Sequence, residues 1–157
     1  MTSALRTPDH FLKPDPRFKS KLAAKFINCL MHGGKKATAE RIFYAAMDEV
    51  LKKIKDKDPV EIFTTAVNNA KPQVEVRSRR VGGATYQVPV PVPQKRQISL
   101  SFRWILAAVR HKKGRPARVK LADEIAACYR GEGEAIKKRD DVHKMAEANK
   151  AFAHLAY

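Results

Sequence analysis

Cysteine, acidic residues and long apolar runs are all scarce in this sequence, and each scarcity removes a class of function. Two cysteines, Cys29 and Cys128, lie too far apart to suggest a disulfide scaffold or a zinc set, so a reducing compartment fits and both are expected as buried thiols. No apolar run approaches the roughly twenty residues a membrane span needs. The first thirty residues are broken by Pro8, Pro14 and Pro16 and hold no apolar signal core, so the expectation is a soluble cytoplasmic chain with no membrane partner. No serine sits in a Gly-x-Ser-x-Gly elbow. Gly33-Gly34-Lys35-Lys36-Ala37-Thr38 lacks both the first glycine of a phosphate loop and a preceding strand. Cys29 and His32 have metal-pair spacing, but His10, His111, His143 and His154 offer no matching second pair. The chain is therefore expected to be no enzyme, with no cofactor and no metal.

The shortage of acids is uneven. Thirty-two Lys and Arg face sixteen Asp and Glu, a formal charge of +16 whose self-repulsion a polyanionic partner would relieve. Residues 1–36 carry eight basic and two acidic side chains, and residues 71–120 carry thirteen basic ones against Glu75 alone. Residues 37–70 and 121–157 each come to a net −1, so two segments hold all the excess, as a binding footprint would.

What is present reads as a mainly α fold, a bundle of about six helices with one two-stranded β-hairpin protruding between the third and fourth. Residues 1–19 have no sustained apolar period and are expected as an extended basic arm; residues 20–157 form one helical domain. Ser20 is a cap candidate for a first helix through Leu22, Phe26, Ile27 and Leu30, stopped by Gly33-Gly34. Ala39, Phe43, Ala46, Met47, Val50 and Ile54 mark a second helix, and Asp58-Pro59-Val60-Glu61 is a start signal for a third, closed by Pro72. Alternation then takes over at about 73–92 around Gly82-Gly83, a hairpin with a primed turn, and Pro89 and Pro91 share its unpaired edge. Ile98 to Val109 and Leu121 to Tyr129 mark the fourth and fifth helices. Ala135, Val142, Met145, Asn149 and Phe152 suggest a weaker sixth that projects from the body.

The candidate binding residues lie on and beside the hairpin. Arg77, Arg79 and Arg80 sit on a narrow ribbon, where guanidinium forks can grip phosphates or stack on bases. Pleating puts Arg77 and Arg79 on one face and Val74, Val76 and Arg80 on the other, so that one side can pack while the other meets RNA. Lys95, Arg96, Arg103, Arg110, Lys112, Lys113, Arg115, Arg118 and Lys120 border the fourth and fifth helices as a second patch, with Lys13, Arg17, Lys35 and Lys36 added from the first basic segment. Trp104, one turn from Leu100, is assigned to the body rather than to base stacking. A DNA-binding protein of architectural or helix-turn-helix type is the alternative, since a basic helical body with an arginine ribbon could also grip duplex DNA.

Residues 13–157 resemble the family of bacterial small-subunit ribosomal protein seven. The resemblance is most specific at Ala24-Lys25-Phe26-Ile27-Asn28, Gly34 to Glu40, Val74 to Gly83, Tyr86-Gln87-Val88-Pro89-Val90, Arg103-Trp104 and Lys137 to His154. It implies a primary binder of small-subunit ribosomal RNA that nucleates head assembly at the subunit interface. It also implies proximity to exit-site transfer RNA and the messenger RNA path for the hairpin tip, Val81, Gly82, Gly83 and Ala84, and for Lys137, Lys138, Arg139 and His143 of the last helix. Small-subunit ribosomal proteins nine and eleven are the implied protein partners. Many relatives begin with a dense arginine-lysine run, whereas Met1–His10 offers only Arg6 and His10 beside Asp9.

Overall fold

The computed structural model describes residues 11–55 and 57–156; the arm expected up to His10 lies outside them. Six α-helices follow in order, α1 (Lys21–Leu30), α2 (Lys36–Lys53), α3 (Pro59–Asn69), α4 (Gln94–His111), α5 (Ala117–Tyr129) and α6 (Glu134–Ala148). The antiparallel strands β1 (Val74–Val81) and β2 (Ala84–Pro91) lie between α3 and α4, and a 3₁₀ segment, Lys150–Ala156, ends the chain. The expected architecture is present.

Aromatic rings form the centre. Phe26 of α1 meets Phe63 and Phe102 edge-on, each at 5.2 Å between centroids, and Phe43 meets Phe63 at 5.3 Å. These four helices therefore share one knot, in the tilted geometry ring quadrupoles favour. Helix α5 packs against α2, α3, α4 and α6, burying Leu121, Ile125 and Cys128. Trp104 is half-buried against this core, as assigned.

The ribbon turns at Gly82 and Gly83, whose φ of +58° and +87° match the primed turn that glycine permits at both central positions. Val81 pairs with Ala84, and Val92 N–H donates to Gln73 O at 3.0 Å. The alternation of a ladder then leaves Pro89 and Pro91, opposite Val76 and Val74, at positions that need no donor toward the partner strand.

Four expectations need correction. Cys29 is exposed, because Ala23 and Ala24 share the buried stripe of α1 with Phe26 and Ile27 and turn that helix so that position 29 faces out. Asp58 does not cap α3 with its side chain; only its backbone carbonyl serves, accepting from Ile62 N–H. The last part of the expected arm is turned rather than extended. There the buried Asp15 carboxylate accepts from the N–H groups of Arg17 and Phe18 and from Tyr44 Oη at 2.6 Å, and burial, with this bond added, pushes the Tyr44 phenol well above its ordinary range. Finally, α6 stops at Ala148, and the chain beyond it lies back on the ribbon instead of projecting, with Phe152 5.2 Å from Tyr86.

Candidate nucleic-acid interface

The face of the ribbon that packs is the one that carries Glu75, Arg77 and Arg79. Glu75 is 7 % exposed and Val88, opposite Arg77, is 1 % exposed, while Tyr86, opposite Arg79, takes the Phe152 ring. Residues directly across a ladder share a face, so Glu75, Arg77 and Arg79 stand on the docked side. Arg80, with Ser78, Thr85 and Gln87, stands on the open side.

Glu75 explains why arginines can sit on a docked face. Arg77 Nε donates to its Oε1 at 2.7 Å, and Arg96 Nε, from the first turn of α4, donates to Oε1 and Oε2 at 2.9 and 2.8 Å. Burial pushes this carboxyl up, but the hydrogen bonds from Arg96 and Arg77 outweigh it and hold the group below the usual carboxylate range. Arg79 Nη1 donates to the carbonyl of Leu155 in the terminal segment. The ribbon, α4 and the chain end are thus joined through three arginines.

A second cluster forms where α4 turns into α5. Lys112 Nζ reaches the fully buried Glu124 at 2.6 Å, and the same carboxylate accepts from Ala135 N–H at 3.0 Å, tying this turn to the start of α6. Lys120 Nζ donates to Lys112 O at 2.7 Å, and Arg115 pairs with Asp123 at 3.4 Å. Asp123 is held below its ordinary range by the Lys53 ammonium. Near α1, Cys29, Ser99, Phe102, Arg103, Leu106, Ala107 and Arg110 line an open groove of about 340 Å³.

The remaining expected residues divide. The side chains of Lys95, Arg103, Arg110, Lys113 and Arg118 are exposed and make no hydrogen bond or ion pair with any described residue, and the same holds for those of Arg80 and Lys13. Lys35 and Lys36 are exposed at the start of α2, with Lys36 3.9 Å from Glu40. Arg17 is bound to Asp48 at 2.5 Å and lies over the Phe18 and Tyr44 rings. In α6, Arg139 pairs with Asp140 at 2.6 Å and donates to the Asn69 carbonyl, and His143 Nε2 accepts from Gln73 N–H at 3.1 Å. His143 therefore stands at the ribbon's base, whereas Val81 to Ala84 form its tip, roughly 25 Å away along the strand. Lys137 and Lys138 are exposed on the same helix. The two groups form two locations, one at each end of the ribbon. Glu75, Tyr86 and Phe152 hold the ribbon in place, a role the local sequence pattern does not disclose; the isolation of Glu75 in a basic segment was the available signal.

The family model for ribosomal protein S7p/S5e matches residues 4–150. This chain belongs to that family. It is a ribosomal protein of the small subunit and not an enzyme. Among similar proteins is the small ribosomal subunit protein uS7 of Rhodopirellula baltica, 58 % identical over 144 residues, covering 91 % of this chain and 92 % of the relative. The uS7 of Thermotoga maritima is 57 % identical over 143 residues, covering 91 % and 92 %. That of Variovorax paradoxus is 52 % identical over 150 residues, covering 96 % of both. No helix among the described residues is long and apolar enough to cross a membrane.

Proposed function

We propose that this S7p/S5e protein is a primary binder of small-subunit ribosomal RNA that nucleates assembly of the subunit head. Its RNA surface comprises the basic residues of the ribbon, of α4 and of the α4–α5 turn, with Lys13, Arg17, Lys35 and Lys36 beside them. The ribbon tip and the exposed face of α6 approach exit-site transfer RNA and the messenger RNA path, and small-subunit proteins nine and eleven are its neighbours.

The observation that carries this reading is a violated electrostatic rule. A helix N-terminus carries partial positive charge and favours acids in its first turn. Helices α3 and α6, from the two near-neutral segments, obey it with Glu61 and Glu134. Helices α1, α2, α4 and α5 have no acid there and begin instead with Lys21, Lys36, Lys95-Arg96 and Arg118. At α1, α2 and α5 each such start costs the free protein about 0.3–1 kcal/mol, while at α4 the Glu75 carboxylate bonded to Arg96 offsets part of it. A phosphate backbone would reverse the sign of that cost, since helix starts and cations both favour anions.

Binding to a transcript of the small-subunit RNA head region, measured across salt, tests the proposal. Neutralising roughly 6–10 phosphates should lower affinity by about 10³–10⁵ between 50 and 200 mM salt. Replacing Arg77, Arg79 and Arg80 together by alanine should weaken binding sharply, at about 1.5–3 kcal/mol for each charged hydrogen bond removed. A salt-independent affinity, or equal competition by duplex DNA, would sink the reading.

A further inference from the structure

We infer that Glu75 is a positioning residue for RNA phosphate, aiming the Arg77 and Arg96 guanidinium groups from two different elements at one stretch of backbone. The inference rests on the RNA-binding reading above and adds a role for the one acid in the basic segment. An acid at a polyanion-binding surface is repulsive if it acts as a charge alone. The geometry points to a different action.

Arg77 turns its Nε and Nη2 edge to Glu75 Oε1, and Arg96 approaches through Nε alone. Both Nη groups of Arg96 and Nη1 of Arg77 make no hydrogen bond with a described residue. A guanidinium has five donors in a rigid plane, so engaging the Nε side fixes where the rest of the fork points. Glu75 itself cannot swing away, being nearly buried between β1 and the first turn of α4. The two side chains remain exposed on their outer sides, and no other acid lies between residues 71 and 120 to compete for them. The result is a pair of forks with a common buried hinge, organised before RNA arrives, so the entropy of ordering two long side chains is spent during folding rather than on binding.

The sign of the Glu75→Gln effect tests this. If the carboxylate only repels phosphate, its removal tightens binding to the head-region transcript; if it positions the arginines, affinity at fixed salt falls roughly 10-fold to 100-fold, as when one charged hydrogen bond is removed. The plot of log affinity against log salt should also become shallower by about one, one phosphate no longer being neutralised. In an Arg77→Ala, Arg96→Ala background the same substitution should produce no further weakening. Arg77→Lys with Arg96→Lys leaves Glu75 and the net charge intact but removes the fork geometry, and should weaken binding by a similar factor with an unchanged melting temperature. The inference is overturned if folded Glu75→Gln binds as well as or better than the unaltered protein, or if the double lysine variant keeps full affinity and slope. If the unaltered protein shows no salt-dependent binding, the RNA-binding reading itself is overturned.

Discussion

The helical body and the ribbon are held by different forces. In the body, Phe26, Phe43, Phe63 and Phe102 interlock with Ile27, Ile105, Leu121 and Ile125, and Glu124 is the one carboxylate fully enclosed there among the described residues. In the ribbon only Val88 among the strand hydrophobics is buried, and its fastenings include Glu75 with its two arginines, Arg79 on the Leu155 carbonyl, the Tyr86–Phe152 ring pair, and α6, which packs against both strands and takes Gln73 N–H on His143. An isolated two-stranded hairpin is marginal in water, so these few fastenings decide where the ribbon stands. The body's stability and the ribbon's position should therefore respond to different substitutions. The separation lets the arginines of the ribbon be rearranged without weakening the core.

The largest effect tests the body. Phe26→Ala removes a fully buried ring touching three others and should cost about 3–5 kcal/mol, read as a lowered denaturant midpoint. The transition should stay cooperative. A destabilisation below about 1 kcal/mol would mean that the rings are not the body's main support, and the contrast with the ribbon would collapse.

The same contrast explains what the sequence disclosed. Helix positions were legible because Phe43, Ala46, Met47 and Val50 repeat at the period a helix buries, and the hairpin because Gly82-Gly83 interrupts an alternating run. The α3 boundary was legible from Pro59 even though the Asp58 side chain does not act as its cap. What could not be read were choices made between distant residues. Strand parity put Arg77 and Arg79 together, but which side docks depends on Arg96 reaching Glu75 from α4 and on Phe152 reaching Tyr86 from the chain end. Local periodicity carries no information about either pairing. For the same reason the basic residues of the candidate site were visible as a class, whereas their partners Asp48, Glu124 and Leu155 were not.

An intermediate effect tests the ribbon. Phe152→Ala deletes the ring that meets Tyr86 and should cost about 0.5–1.5 kcal/mol beyond the apolar area it exposes, felt locally. Amide exchange should speed up in β2 while the body's slowest amides keep their rates. If the body's protection falls in step with the ribbon's, the two regions form one cooperative unit and the separation argued above is wrong.

The smallest effect sharpens the comparison inside the body, at two helix starts that look alike in sequence. Ser20 Oγ accepts from Ala23 N–H at 3.3 Å, so Ser20→Ala leaves an amide of α1 without its partner and should cost about 1 kcal/mol. Asp58 makes no such bond, and Pro59 removes one amide that a cap would serve. Asp58→Ala therefore removes only the attraction of an exposed carboxylate for the start of α3, near the low end of about 0.3–1 kcal/mol, and that effect should fade with added salt. Thermal melts of both variants at low and high salt measure the difference. The Ser20 effect should persist in salt, because a hydrogen bond to an uncharged hydroxyl is not screened. If Asp58→Ala costs as much as Ser20→Ala at high salt, the Asp58 side chain caps α3 in solution, and the start of that helix owes more to local polar contacts than to Pro59 and the burial of Ile62 and Phe63.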